Sequence, residues 1–401
     1  MVGEAPVVSV ADEGRGSERL GRYIRRLREG YGYTLRRVEE RSEILGSLID
    51  NSQLSRFEKG KAAPSFDKLR ILARVFNVPV QTFADVLDLQ AYDALKPADQ
   101  NPEALFEAGT AAHRQGEFGR AYVIFERLAE ISENGENGAA ENHARACYQM
   151  AIALKKMGKL AAAECDLRRL LRRPEGSYPG SLRVRVMLQL AFVYRELGDL
   201  YLASVVARDC QSRALEGADP DTVAAALNTA GIIEEERGRP EEAATLFRRA
   251  LDILRDLHSA DQMRVTVQAN LGGALTAIGQ FRSGMALLRE SLRHARASGW
   301  RRLSALALTK MAEAHLRKGQ GDLARELIRE SDAVAATGDP AYQDLLFMNA
   351  WMAFSMARAD GRVTQSRLLF GRLKYLRSLL ETRFPEVDAF DALVRGEMSH
   401  G

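Results

Sequence analysis

A glycine recurs every 40 to 42 residues through most of the chain, and this regular spacing is the feature that most constrains the fold. The seven glycines are Gly116, Gly158, Gly198, Gly238, Gly279, Gly319 and Gly361. Glycine readily ends a helix and begins a tight turn, and the apolar residues between the glycines follow a helical period. Self-similarity at this period indicates stacked helical hairpins, so we predict an α-solenoid of about seven hairpins.

Small residues recur at fixed offsets from these glycines. Five residues after the glycines stand Ala121, Ala163, Ala203, Ala243, Gly284, Ala324 and Ser366, and seven residues before six of them stand Gly109, Ala151, Ala191, Gly231, Gly272 and Ala312. Three phenylalanines, Phe125, Phe247 and Phe370, follow a small residue by four positions. We expect the two helices of each hairpin to pack closely at the small residues, with the phenylalanines filling the space between them.

The segment before the repeats has a different pattern and a different charge. Leu20, Ile24 and Leu27 form one apolar stripe of a first helix, and four further short helical patterns follow as far as Val86. Between Ser17 and Phe83 there are 14 Lys and Arg against 8 Asp and Glu, so this segment carries +6 in a chain of +3. The basic surface is therefore expected near the N-terminus.

The third of these short helices is the informative one. Asp50 is its expected N-cap, Gly60 is its expected left-handed C-cap, and Leu54 and Phe57 point to one side. The opposite side is a contiguous polar arc of Asn51, Ser52, Ser55, Arg56 and Lys59. Asn can read adenine and Arg can read guanine, so the arc suits DNA, although an ordinary solvated helix face would have the same composition.

The order of residues from about Leu20 to Phe83, and "SRFEKGKAAPS" above all, resembles the Cro/CI-type (XRE-like) helix-turn-helix family. The resemblance implies a five-helix DNA-binding domain whose third helix enters the major groove. It implies base contacts by Asn51, Ser52 and Arg56, and a structural pair between Glu58 and Arg28. We assign phosphate contacts to Ser55, Lys59 and Lys61.

This sequence departs from that family in two places. The connection from Glu43 to Ile49 is about five residues longer than usual, and Glu39 stands where a small alanine is customary. Either change could tilt the third helix.

The repeats, of which "LNTAGIIEEERGRPEEAATLFRRALDI" is the clearest, resemble the tetratricopeptide repeat from about Asn101 to Phe384. Their period exceeds the usual length of about 34 residues, and such long repeats are similar to those of peptide-sensing regulators. First helices would line a concave face, and the ligand residues predicted there are Arg195, Asn228, Asn270 and Lys310. A solvated groove without a ligand, or a protein-contact surface, remains an alternative.

No catalytic constellation is apparent, so we expect a protein that is not an enzyme and needs no cofactor or metal. The acidic run Glu234 to Glu236 reads as a solvated turn, and Gly272-Gly273 reads as a helix-packing site. Cys147, Cys165 and Cys210 are far apart and read as buried thiols of a cytoplasmic protein. No stretch approaches the roughly 20 apolar residues of a membrane helix.

We therefore predict an all-α chain. Its expected parts are a disordered tail (1–16), the helix-turn-helix domain (17–87), a linker (88–100), the repeat superhelix (101–384) and a C-terminal cap and tail (385–401). The expected function is a homodimeric transcriptional regulator that binds double-stranded DNA and senses a peptide or protein ligand through its repeats. The alternative is a protein-interaction scaffold in which the repeats recruit a partner and the head is only a tether.

Overall fold

The computed structural model describes residues 17–133, 139–217, 219–255, 257, 261–338, 341–380 and 382–398. The predicted disordered tail, 1–16, lies outside these residues, as do the last three positions of the predicted C-terminal tail. Within the described ranges the regular structure is helical, without a strand, which confirms the predicted all-α class. None of the described helices combines the length and the apolar character that a membrane span requires.

Five short helices form the head. They are α1 (Glu18–Gly30), α2 (Leu35–Ile44), α3 (Asn51–Glu58), α4 (Phe66–Val75) and α5 (Gln81–Asp88), and a 3-10 helix, Leu89–Leu95, follows. The side chains of Thr34, Asp50 and Ser65 accept hydrogen bonds from backbone N–H groups at the starts of α2, α3 and α4. The cap at Asp50 confirms the sequence prediction, and Thr34 and Ser65 are of residue types also favoured at this position, because capping depends only on residues within one turn.

Seven helical hairpins follow the head, and an eighth short element ends the described chain. The hairpin helices are α6 (Pro102–Arg114), α7 (Phe118–Glu133), α8 (Ala139–Lys156), α9 (Leu160–Leu171), α10 (Gly180–Glu196), α11 (Leu200–Leu215), α12 (Pro220–Glu236), α13 (Pro240–Leu254), α14 (Asp261–Ala277), α15 (Phe281–Ala297), α16 (Arg301–Arg317), α17 (Gly321–Ala336), α18 (Gln343–Ala359) and α19 (Val363–Ser378), and the last helix is α20 (Pro385–Met398). All seven periodic glycines lie in the turns with φ between +69° and +84°. The predicted turn positions are confirmed, since this backbone conformation is one that glycine adopts without strain.

The chain forms two compact units, one ending at Gln189 and the other beginning at Leu190. The first unit holds the head, the first two hairpins and the first part of α10. The second holds the end of α10, α11, the four later hairpins and α20. The family-based boundaries at 17–87 and 101–384 remain predictions.

Close packing inside the hairpins depends on the small residues. A methyl group on Gly231 would lie 2.5 Å from the Phe247 ring, and one on Gly109 would lie 2.7 Å from the Phe125 ring. A methyl group on Gly284 would lie 2.5 Å from the carbonyl oxygen of Gly272. The predicted contact between small residues and phenylalanines is therefore confirmed for two hairpins, and in a third two glycines allow backbone-to-backbone approach.

We expect Gly231→Ala to lower the free energy of unfolding by about 1–3 kcal/mol, because the added methyl group overpacks a core site. Gly371→Ala is the matched control, since Gly371 lies within α19 and an added methyl group would meet no atom within 4 Å. Replacing that exposed helical glycine should stabilise the protein by up to about 1 kcal/mol. Urea unfolding of both variants is the measurement, and equal effects of the two substitutions would contradict this account of the packing.

Candidate nucleic-acid interface and inner polar surface

Helix α3 is held in the head by its apolar side and by a glycine of α1. Leu54 and Phe57 are buried in the head core beside Ile24 and Val38. A methyl group on Gly21 would lie 2.4 Å from the carbonyl oxygen of Phe57, so only glycine lets the end of α3 approach α1 this closely. The orientation of α3 is thus determined by packing on one side only.

The other side of α3 faces solvent. Asn51, Ser52, Arg56, Lys59 and Lys61 are exposed, and Ser55 is half-buried. Among the described residues none of these six side chains has a hydrogen-bond or ion-pair partner. Gly60 has φ of +65° and releases the chain from the helix, as the sequence indicated. The six residues predicted to contact DNA therefore lie on α3 and directly after it, where they can meet an external partner.

The predicted structural pair is present. The Arg28 guanidinium donates from Nε to Glu58 Oε1 at 2.6 Å and from Nη2 to Glu58 Oε2 at 2.9 Å. It also donates to the carbonyl oxygen of Tyr33 at 3.0 Å. This bidentate pair connects the end of α3 to α1 and the start of α2, so it contributes to the position of α3 without facing solvent itself.

The longer connection between α2 and α3 is anchored at several points. Ser42 Oγ donates to the carbonyl oxygen of Glu39 and accepts from the Ile49 N–H at 2.8 Å. Ile49 is fully buried, and Lys68 Nζ on α4 donates to Ser47 Oγ at 3.2 Å and to the Leu48 carbonyl. Glu39, the other departure from the family, is half-buried.

A buried ion pair joins the head to the first hairpin within the first unit. The guanidinium of Arg19 on α1 donates to both oxygens of Glu126 on α7, at 3.0 Å and 2.9 Å, and its Nε donates to Asp93 at 2.8 Å. The side chains of Arg19 and Glu126 are 1% and 4% exposed. Burial by itself would raise the pKa of Glu126, but Arg19 and Lys96 outweigh burial and lower that pKa below its usual value.

Contacts to the second hairpin add to this junction. Asp85 on α5 accepts a hydrogen bond from the Ala162 N–H at 3.3 Å, and Lys159 donates to Asp88 at 2.6 Å. The Arg172 guanidinium lies 4.6 Å from the centre of the Tyr31 ring. Sequence reasoning placed a linker at 88–100 and missed this junction, because its partners are far apart in the chain.

A second cluster of polar side chains lies on the first helices of the hairpins in the second unit. We call it the inner polar surface, and it consists of Arg195, Asn228, Glu235, Glu236, Asn270 and Lys310. Lys310 on α16 donates to both oxygens of Glu235 on α12 at 3.2 Å, crossing α14 at Gly273. A methyl group on Gly273 would lie 3.0 Å from Lys310 Nζ, so this glycine makes room for the crossing.

The four predicted ligand residues are all in this cluster, and each already has a partner. Arg195 Nε donates to Glu236 at 2.9 Å, and Asn270 Nδ2 donates to Asn228 Oδ1 at 3.0 Å. The prediction of a solvated turn at Glu234 to Glu236 is wrong. Glu234 is buried and accepts from Ser204 and Arg237, while Glu235 accepts from Lys310 and Glu236 accepts from Arg195.

The cysteines carry no cross-link. Cys147 and Cys210 are buried as predicted, Cys165 is only half-buried, and none of the three forms a disulfide. Burial raises the pKa of Cys165 to about 11 and that of Cys210 to about 12, so both stay protonated near neutral pH. The described residues contain no group of His, Cys, Asp and Glu that could hold a metal ion.

Comparison with known families agrees with this two-part organisation. A helix-turn-helix family model matches residues 24–83. Tetratricopeptide repeat models match residues 102–211, and also 182–256 and 222–297. The matched families and solved relatives are regulators and repeat proteins rather than enzymes. No curated protein sequence matches the chain.

Solved structures with a similar fold are distant in sequence. The apo form of RapI is 15% identical, with a TM-score of 0.57 over 69% of this chain and 97% of RapI. The Rap conjugation gene regulator of the plasmid pLS20, in complex with the Phr* peptide, is 13% identical, with a TM-score of 0.51 over 92% of this chain and 97% of that chain. These similarities concern the fold.

We expect Arg19→Met to lower the free energy of unfolding by about 3 kcal/mol, because Glu126 would be left buried with only part of its charge compensated. The double variant Arg19→Met/Glu126→Leu should recover most of the loss, since it removes the unpaired charge. Arg22→Met is the control on the same helix, because its pair with Glu130 is exposed and should contribute less than about 1 kcal/mol. Denaturant unfolding of the three variants tests the ranking, and an Arg22→Met loss equal to that of Arg19→Met would contradict it.

Proposed function

We propose that this chain, which contains a helix-turn-helix domain and tetratricopeptide repeats, is a sequence-specific DNA-binding transcriptional regulator. The observation that carries the proposal is the exposed side of α3. Its polar side chains have no partner within the described part of the chain, and its apolar side is held rigidly by the core of a basic head. A face of this kind matches a helix that enters the major groove of DNA.

The side chains of that face divide into two roles. Asn51, Ser52 and Arg56 read base edges, because amide and guanidinium groups form the bidentate hydrogen bonds that distinguish base pairs. Ser55, Lys59 and Lys61 bind phosphates, which position α3 and supply affinity that falls with salt. Two chains form a homodimer, so that two copies of α3 meet half-sites about one helical turn apart.

The repeats sense a ligand, which we propose to be a short peptide. The inner polar surface supports this choice, because amide and charged side chains on it can exchange their present partners for the backbone and side chains of an extended peptide. The Rap regulator of pLS20, which shares the fold, was solved with a peptide. A ligand shifts DNA affinity only by its different affinity for the two conformations of the repeats.

A protein-interaction scaffold is the second candidate function. Exposed apolar side chains on α11, among them Tyr201 and Val205, would serve such a role. A scaffold should co-purify with one protein partner, and its DNA affinity should not respond to small ligands.

Selection of genomic DNA fragments by the purified full chain, repeated over a salt series, tests the proposed function. The expected result is a two-fold symmetric sequence that stays bound at salt concentrations that remove non-specific DNA. Recovery of sequence-independent binding alone, at every salt concentration and in every ligand condition tested, would count against the regulator.

We expect Arg56→Ala to weaken binding to the selected site by about 1–3 kcal/mol and to relax preference at one base position. Lys61→Ala should instead weaken binding to all sequences alike and reduce the salt slope by about 1. Arg249→Ala, at an exposed arginine of α13, is the charge-matched control and should change neither quantity. Titration of fluorescent duplexes measures both, and an unchanged base preference in Arg56→Ala would refute its assignment.

A further inference from the structure

Residues 382–390, which comprise the segment before α20 and the start of α20, cross from the end of α10 to α18. The N–H group of Arg383 donates to the carbonyl oxygen of Glu196, at the end of α10, at 2.9 Å. The Arg383 side chain also packs on Gly198: a Cβ atom at Gly198 would lie 3.4 Å from that of Arg383. This backbone hydrogen bond is of the kind that an extended peptide ligand would make with the repeats.

The other end of this segment is anchored on α18. The Phe384 and Phe390 rings lie 5.7 Å and 5.8 Å from the Phe347 ring, in edge-to-face arrangements. Val387 and Phe390 are almost fully buried. Residues 382–390 therefore run from α10 of the third hairpin to α18 of the seventh, all within the second unit.

One residue of the segment, Glu386, fits its surroundings poorly. It is half-buried and makes no ion pair with any described residue. Burial, with smaller contributions from Glu313 on α16 and Glu236 on α12, raises its pKa to about 7, and a hydrogen bond from its own backbone N–H and the charge of Lys310 offset this only in part. The acidic groups near Glu386 each form an ion pair of their own. Glu236 pairs with Arg195 and Glu235 with Lys310. Glu313 pairs with Arg317 and Asp388 with Arg383. Glu386 thus makes no ion pair among the described residues, and it adds a negative charge to this site as pH rises through about 7.

We propose that residues 382–390 are an intramolecular strap that occupies the ligand surface of the repeats, and that a peptide ligand binds by displacing it. The inference rests on the proposed sensing role, since it assumes that the inner polar surface takes a peptide. The strap also defines the chemistry of that peptide. The ligand donates a backbone N–H to Glu196, places an aromatic side chain against Phe347, and carries an uncharged or cationic residue where Glu386 stands.

The strap should be released as pH rises. A carboxyl whose pKa is higher in the docked state than in the free state binds its proton more tightly when docked, so docking is favoured at low pH. Docking weakens as pH rises from the ordinary glutamate range through about 7, because the docked carboxylate becomes charged beside Glu236 and Glu313.

A disulfide tether tests the occupancy of the surface in the full chain. The variant Gly198→Cys/Arg383→Cys places two Cβ atoms 3.4 Å apart, close to the roughly 3.5–4.5 Å of a disulfide. The probe is a fluorescent synthetic peptide of residues 382–398 with Gln in place of Glu386, and its binding is followed by anisotropy. The oxidised variant should bind the probe at least about tenfold more weakly than the same variant after reduction, since one tenfold step is resolved well by titration.

Each single-cysteine variant is a control for strain at Gly198 and for loss of the Arg383 side chain, and neither should respond to oxidation. The strap proposal would be overturned if the oxidised and reduced tether variants bound the probe equally. It would also be overturned if neither the wild-type chain nor any variant bound the probe. Because the assay contains no DNA, its failure is distinct from failure of the head to bind an operator.

The pH dependence is a separate measurement on the same probe. Between pH 6 and pH 8 the wild-type chain should bind the probe about tenfold more tightly, which follows from pKa values of about 4.3 for a free and about 7 for the docked carboxyl. The Glu386→Gln chain should show no such change, and Glu107→Gln, an exposed carboxylate on α6, should behave as wild type. A wild-type affinity that does not vary with pH would exclude Glu386 as the source of release.

Discussion

Close approach of two helices at small residues is the constraint on which the architecture depends. Where Gly231 faces Phe247, or Gly272 faces Gly284, the distance between the helices is determined by backbone and ring atoms rather than by flexible side chains. The turn glycines then return the chain after a nearly constant interval of 40 to 42 residues. First helices consequently recur on one side, and polar residues along them meet as a continuous surface in the second unit.

Features that depend on a few neighbouring residues could be predicted from the sequence. The seven turns, the caps at Thr34, Asp50 and Ser65, and the buried side of α3 are of this kind, because each depends on local backbone conformation or helical period. The Arg28–Glu58 pair was found by family resemblance rather than by physical reasoning. The helical period also predicts the exposed polar side of α3, whereas the DNA contacts of that side remain a proposal.

Features that depend on how hairpins stack could not be predicted. Lys310 and Glu235 are 75 residues apart and meet across α14 at Gly273, where the absence of a side chain leaves room for the pair. Arg19 and Glu126 are 107 residues apart and meet only when the head lies on the first hairpin. The same dependence on stacking explains why Asn228 and Asn270, predicted to bind a ligand, are hydrogen-bonded to each other. It also explains why the prediction of a solvated turn at Glu234 to Glu236 is wrong.

The burial of Arg19 has a consequence for how the protein responds to ionic strength. Dissolved ions screen charges that face water, such as those on the open side of α3, much more than charges enclosed by protein. Raising salt should therefore weaken a contact of the open side of α3 with an external partner while the head stays seated on its first hairpins. Under the proposed function, a cell that changes its internal salt would alter occupancy of an operator without loosening the protein that binds it.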